Sequence, residues 1–433
     1  MLPRVPTNIS VEHRKFLFLQ GPPGPFFRLL RNKLVEQGAS VRRINFSGGD
    51  KHDWPDDSVN YAGLMRRWPL FFDRVVLDWG ITDLVLFGDC RPVHKVAIRL
   101  AQLRGIHVHV FEEGYMRPYW VSYERGGTNG NSRLMDLSVE DMQAALALSD
   151  LEVPTPPAHW GDMRHHVLYG AIYHWFVLFR NSNYRKLARH RELPVLTEAA
   201  LYTRRLLLMP FIALDRILAT ARIRFGGFPY HLVLMQLEHD ASFQMHSPFT
   251  RMGEFITVVL EGFAKGTPRH HHLVFKAHPL ENGGSPLRQI IRDEAKRLGV
   301  EDRVHYVRGG KLAQLLDHAR TSVTVNSTAG QQVLWRGIPL KVFGKAVYNK
   351  PEFVSEQPLD EFFANPTSPD SRAFKDYRRF LLETSQVPDG FYSARGRRQL
   401  MRQVVDMMLS DEDPYDSLKS GKVPPRQPLR IVN

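Results

Sequence analysis

The second half of the chain is a succession of short apolar runs, each breaking off into polar residues: 232–235, 273–276, 304–307, 322–325 and 339–343. Helical patterns fill the intervals at 253–264, 286–298 and 311–318. Runs this short that are apolar on both faces suit strands buried from both sides, which is the condition of a parallel sheet. Helices between them supply the right-handed crossovers that such a sheet needs. The pattern therefore predicts a doubly wound α/β unit, and it places the residue following each run at the carboxyl edge of one sheet, where open α/β sheets bind ligands.

The first half has the same rhythm. A run at 15–20 leads into Gly21-Pro22-Pro23-Gly24-Pro25, a helix at 26–37 and a second strand at 40–46. Further strands are expected at 84–88, before Asp89, and at 106–111, before Glu112-Glu113-Gly114-Tyr115-Met116-Arg117-Pro118, with a helix at 92–104 between them. The expected class is thus α/β and GT-B-like: two facing Rossmann-like doubly wound domains enclosing a cleft, with a helical insertion and C-terminal helices. The boundaries expected are 1–155, 156–228, 229–370 and 371–433. A chain of 433 residues is too long for one core of ordinary size.

The insertion differs in character. Trp175, Phe176, Phe179, Tyr184 and Tyr202 alternate there with Arg180, Arg185, Lys186, Arg189, Arg204, Arg205, Arg216, Arg222 and Arg224. Basic, aromatic, amphipathic helices suit an anionic membrane surface. Nucleic acid is not expected, because no recognition motif of that class accompanies the charge. The formal net charge of +13 favours an anionic partner in either case. No run approaches the roughly 18 apolar residues of a membrane span, and residues 1–14 lack an apolar segment of the secretory kind. The expected location is cytoplasmic, peripheral to the inner face of the cytoplasmic membrane. With Cys90 as the single cysteine, an internal disulfide and a cysteine-based zinc cluster are excluded. The tract His270-His271-His272 points to alternate faces of a strand and is not expected to hold metal.

The candidate chemistry sits at strand ends. Gln236, Glu238, His239 and Asp240 follow the first run of the second half; Lys276, His278 and Pro279 close the next, and Asn326, Ser327 and Thr328 close another. His278 and Lys276 can serve a phosphate. Ser327 and Thr328 are expected at the N-cap and first turn of a helix, where hydroxyls and free N–H groups bind an anion. In the first half the adjacent carboxylates Glu112 and Glu113 suit general acid–base work, and Arg117 suits an anion. The loop around Gly21 and Gly24 is a candidate ligand or acceptor contact, and the Gly/Asn-rich stretch 126–131 reads as a mobile lid.

The set Phe-Glu-Glu-Gly-Tyr-Met-Arg-Pro, Gln-Leu-Glu-His-Asp-Ala-Ser, Lys-Ala-His-Pro and Asn-Ser-Thr-Ala-Gly, in this order, resembles the capsular polysaccharide biosynthesis and export proteins of the KpsS type, the retaining β-Kdo glycosyltransferases. The resemblance covers about residues 15–350. It implies a donor, CMP-β-Kdo, held by the C-terminal half, with His278 and the Ser327-Thr328 pair on the CMP phosphate and neither cofactor nor metal. It further implies a (lyso)phosphatidylglycerol acceptor and transfer of the first Kdo of a poly-Kdo linker. Partnership with a linker-extending Kdo transferase and capsule export machinery would follow. Related sequences carry Gln-Val-Glu-Asp-Asp-Ala-Ser; here His239 replaces the first Asp, leaving Asp240 as the nucleophile of a double displacement. Glu112 or Glu113 would be the base, with Glu112 preferred by analogy to bacterial sialyltransferases. Arg117 would meet the Kdo carboxylate, and Gln236 and Glu238 would orient the donor or brace the strand. Two alternatives stay open: a noncatalytic capsule glycolipid-binding export protein, and an inverting CMP-sialic acid transferase in which Asp240 is structural.

Overall fold

The computed structural model describes residues 10–55, 58–117, 120–148, 163–184, 208–281 and 285–421. The chain divides into two compact units, Met1–His190 with Tyr377–Asn433, and Arg191–Asp376.

The first unit runs β1 (Lys15–Phe18), α1 (Phe26–Glu36), β2 (Ser40–Asn45), α2 (Gly48–Asp53), β3 (Val59–Asn60), α3 (Trp68–Trp79), β4 (Asp83–Phe87), α4 (Pro92–Leu103), β5 (His107–Glu113), β6 (Trp120–Arg125), α5 (Val139–Leu146) and α6 (Met163–Phe179). The second runs α7 (Met209–Phe225), β7 (Tyr230–Leu234), α8 (Ala241–His246), α9 (Met252–Gly266), β8 (His272–Lys276), α10 (Leu287–Arg297), β9 (Val304–Val307), α11 (Leu312–Leu316), β10 (Ala319–Thr324), α12 (Gly330–Trp335), β11 (Leu340–Val342) and α13 (Leu359–Ala364). After α14 (Ser371–Thr384), the strand β12 (Gln386–Pro388) and helices α15 (Ala394–Leu409) and α16 (Pro414–Lys419) return to the first unit.

Both sheets show the Rossmann-type order. The parallel strands read β3-β2-β1-β4-β5 in the first and β9-β8-β7-β10-β11 in the second, so the strand order reverses beside β1 and beside β7. These reversals are the switch points at which doubly wound sheets leave a crevice beyond their carboxyl ends. The first sheet is extended by β6, antiparallel to β5, and by β12, antiparallel to β6. Sequence reading finds neither strand. Three residues of β12 pair with residues more than 260 positions earlier, a non-local match that periodicity cannot register.

Packing explains the return of the C-terminal segment. Leu400, Val404, Met407 and Met408 of α15 are buried with Phe16, Phe26 and Leu30 of the first core. At ~1.5–3 kcal/mol per fully buried side chain, that face offsets much of the cost of ordering the helix and holds it on the first core. In the second unit, Val233, Phe275 and Val323 meet Phe255, Val259 and Phe263 of α9 in one cluster.

The expected basic helical insertion is divided: α6 belongs to the first unit and α7 to the second. Arg185, Lys186, Arg189, Tyr202, Arg204 and Arg205 lie outside the described residues. Among the described residues no helix is long and apolar enough to cross a membrane.

Candidate functional site

In the first unit, β5 does not stop at Phe111 but carries both carboxylates as its last residues, with Glu112 opposite Ser122 and Glu113 opposite Val121 of β6. Successive strand residues face opposite sides, so the two acids enter different surroundings. The Glu112 Oε1 accepts from the Glu113 N–H at 3.1 Å. A Cβ built on Gly88 (φ +70°) would lie 3.2 Å from Glu112 Oε2, so the carboxyl is seated against that glycine. Burial pushes the Glu112 carboxyl up to about 7. The Glu113 N–H and Arg117 oppose the rise, and the charges of Glu113 and Asp89 add to it. Glu113 is engaged from its own side, accepting through Oε1 from the Tyr392 hydroxyl at 3.0 Å. Arg117 is exposed and its Nε donates to the Gly114 carbonyl at 3.4 Å.

The glycine loop has tighter duties than ligand contact alone. The Gly24 N–H donates to Asp53 Oδ2 at 2.9 Å, and a Cβ there would lie 2.9 Å from the Tyr169 ring of α6. Gly21 is likewise pressed on Phe27. Burial lifts the Asp53 carboxyl to about 6 despite that amide. The stretch 126–131, expected as a lid, is pinned instead: Asp89 Oδ2 accepts from the Thr128 N–H at 2.9 Å and from Asn131 Nδ2 at 3.0 Å.

In the second unit, the residues beyond β7 and β10 form one polar frame. Gln236 Nε2 donates to Asn326 Oδ1 at 2.7 Å, the Asn326 N–H donates back to Gln236 Oε1 at 2.9 Å, and Asn326 Nδ2 reaches the Ser242 carbonyl at 3.1 Å. Glu238 Oε2 accepts from the Met252 N–H at 2.9 Å, tying the loop to the start of α9. Asp240 is exposed and is the N-cap of α8, its Oδ1 accepting from the Ser242 N–H at 3.2 Å. This short helix was not foreseen, because its six residues follow the strand too closely to show a period.

Lys276 ends β8 and is buried, yet among the described residues no carboxylate pairs with it; burial pulls its ammonium down to about 8. His278 is half-buried, its Nδ1 accepting from the Leu280 N–H at 3.1 Å. With Pro279 it lines a cavity of about 420 Å³ shared with Arg216, Arg288, Arg292 and Arg308. Sequence reading missed these last arginines as a group. Arg308 directly follows β9, and Arg288 and Arg292 stand four apart on α10, a spacing that puts them on one helix face. Ser327 and Thr328 do not cap the next helix. It begins at Gly330 with Ala329 as N-cap, while Ser327 Oγ accepts from the Ala329 N–H at 3.2 Å and the Ser327 carbonyl accepts from the Tyr348 hydroxyl. The pair forms a turn before the helix, whose N-cap lies two residues later than expected. Among the described residues no group of three or more His, Cys, Asp or Glu side chains is arranged to hold a metal ion.

The two Rossmann-type units thus end their strands differently, the first in paired carboxylates and the second beside a cavity lined by four arginines, His278 and Glu281. The family model for the capsule polysaccharide biosynthesis protein matches residues 82–392, and the chain belongs to that family. It is 29% identical to the capsule polysaccharide export protein KpsS of Escherichia coli over 394 residues, covering 89% of this chain and 98% of that one. It is 30% identical to the capsule polysaccharide modification protein LipB of Neisseria meningitidis serogroup A over 398 residues, covering 89% and 93%. Among solved structures it is similar to KpsC of Thermosulfurimonas dismutans, a β-Kdo 2,7 transferase, at 12% identity and a TM-score of 0.38, covering 86% of this chain and 100% of that one. Likeness at that level adds nothing to the strand order described above.

Proposed function

We propose that this protein is a retaining β-Kdo glycosyltransferase that moves Kdo from CMP-β-Kdo to a (lyso)phosphatidylglycerol acceptor at the inner face of the cytoplasmic membrane, starting the poly-Kdo linker of a capsular polysaccharide. A linker-extending Kdo transferase and the export machinery would act after it. The observation that carries the reading is the strand-end pair Glu112–Glu113 in a chain of this family, with Glu112 seated against Gly88, Glu113 held by the Tyr392 hydroxyl, and burial lifting the Glu112 carboxyl to about 7. Acid–base catalysis is most effective when the group exchanges its proton near the working pH. In the second unit His278 and the arginines that line the 420 Å³ cavity, with Lys276 at the neighbouring end of β8 outside that lining, supply the charge that receives a phosphate.

In the first step the Asp240 carboxylate attacks the anomeric carbon of Kdo while the carbon–oxygen bond to CMP breaks, and the phosphate leaves with the electron pair. Capping fixes Oδ1 of Asp240 and leaves Oδ2 without a partner among the described residues. In the second step the acceptor hydroxyl attacks the same carbon, its proton passes to Glu112, and Asp240 is released. Two inversions give net retention. The residues themselves carry this chemistry in the proposal, without a cofactor or metal.

The cap also favours a second reading. A carboxylate that serves α8 is what an inverting transferase with a structural Asp240 requires. Incubating wild type, Asp240→Ala and Glu112→Gln with CMP-Kdo and a lysophosphatidylglycerol, followed by mass spectrometry, separates the two. The retaining reading expects loss of product in both variants. Activity retained by Asp240→Ala supports the inverting one, and no turnover by wild type opposes the Kdo donor.

A further inference from the structure

The residue that divides the labour between Glu112 and Glu113 comes from far along the chain. Tyr392 lies between β12 and α15, is 9% exposed, and donates its hydroxyl to Glu113 Oε1 at 3.0 Å. Its ring is held from behind by His166 of α6, stacked at 4.2 Å between centroids with an interplanar angle of 4°. Phe391 before it packs edge-on against Phe26 and Phe87, at 4.9 and 5.4 Å. The Arg397 guanidinium donates to the Phe391 carbonyl at 3.2 Å and to that of Tyr392, anchoring the turn. The hydroxyl is thus delivered by a buried, braced segment.

We propose that Tyr392 is a positioning residue: by donating to Glu113 Oε1 it ties that carboxylate to the C-terminal segment and leaves Glu112 as the member of the pair that exchanges a proton with substrate. The inference rests on the transferase reading and names the acid–base residue within it. A hydroxyl donor stabilises a carboxylate in its charged form, and the charge on Glu113 is one of the influences that hold the Glu112 proton. The groups facing Glu112 are Glu113 on its own strand, Asp89 from the end of β4, Arg117 from the turn after β5, and Tyr392 from the C-terminal segment, with His166 behind the tyrosine. Removing the hydroxyl takes a donor from the negative charge that faces Glu112, so Glu112 then holds its proton to higher pH.

The test uses full-length protein with 13Cδ-labelled glutamate, the Glu112 and Glu113 resonances being assigned from Glu112→Gln and Glu113→Gln. Tyr392→Phe is expected to raise the Glu112 titration midpoint by about half a pH unit, and to move the acid limb of the transfer rate with it. His166→Ala, which frees the ring without touching the hydroxyl, is expected to give a smaller shift of the same sign. An unmoved Glu112 midpoint in Tyr392→Phe overturns the proposal. Because the midpoint is read without turnover, a shift accompanied by no transfer from CMP-Kdo in wild type overturns the transferase reading and leaves standing only the coupling of Tyr392 to Glu112 through Glu113.

Discussion

Gln236 and Asn326 exchange two hydrogen bonds, side chain to side chain at 2.7 Å and backbone N–H to side chain at 2.9 Å, across the point where the strand order of the second sheet reverses. Both residues are buried, so neither amide has water to replace a lost partner. The pair fixes the loops that carry Asp240 on one side and Ser327 on the other.

Gln236→Leu and Asn326→Leu should each destabilise by ~1–3 kcal/mol, the penalty for stranding a buried polar group. The double variant should cost less than the sum, since the bond between the two side chains is lost only once and neither side-chain amide is left facing a missing partner. Urea unfolding of the four proteins checks this, and strict additivity would contradict the clamp.

Lys276 trades stability for binding. Its ammonium titrates near 8 in the folded chain, below its ordinary 10.5, so its stabilising share is present above the ordinary value and lost as pH falls through about 8. At pH 7, Lys276→Met should raise stability by about 2 kcal/mol while weakening CMP binding roughly tenfold or more. Thermal unfolding and calorimetric titration with CMP measure the two effects. A variant that loses stability and keeps affinity would remove Lys276 from the donor site.

Glu124 gives the first unit an acid-favoured stability. Buried, it accepts hydrogen bonds from the hydroxyls of Tyr115 (2.5 Å), Tyr415 (2.9 Å) and Ser132, and burial lifts its carboxyl to about 7. The protonated acid suits the fold, so its contribution is complete below about 4.5 and is lost as pH rises through 7, on the order of 3 kcal/mol at most. Glu124→Gln should flatten the fall of unfolding free energy between these values.

Two helices present apolar stripes to solvent. On α7, Phe211 (70% exposed), Leu214, Leu218 and Phe225 (81%) follow helical spacing, and on α6 Leu168, Trp175 and Phe179 do the same. Arg224 and Arg180 stand beside them. Phe211→Ser with Leu218→Ser, and separately Trp175→Ser with Phe179→Ser, should each cut binding to phosphatidylglycerol vesicles by about tenfold. Flotation against neutral vesicles provides the contrast; equal binding to both would contradict the membrane role.

All five strands of the second unit, and β1, β2, β4 and β5 of the first, were legible because runs such as 232–235 and 273–276 are buried from both sides, whereas β3, α3, β6 and β12 were not found. The strand-end candidates Gln236, Lys276, His278 and Glu112 followed directly from that register. Three-dimensional partners did not. Tyr392 reaches Glu113 across 279 positions, and no local pattern marks it. The capping duty of Asp240 depends on a helix of six residues, too short to declare itself, and the lid expected at 126–131 is held by Asp89, from another strand end.

The most direct measurement is the mass of the wild-type protein after mixing with CMP-β-Kdo in the absence of acceptor. The account predicts a gain of one Kdo residue, located by peptide mapping on the segment containing Asp240, discharged on adding lysophosphatidylglycerol and absent in Asp240→Asn. Turnover to product with no adduct in wild type, and with Asp240→Asn still active, would contradict it.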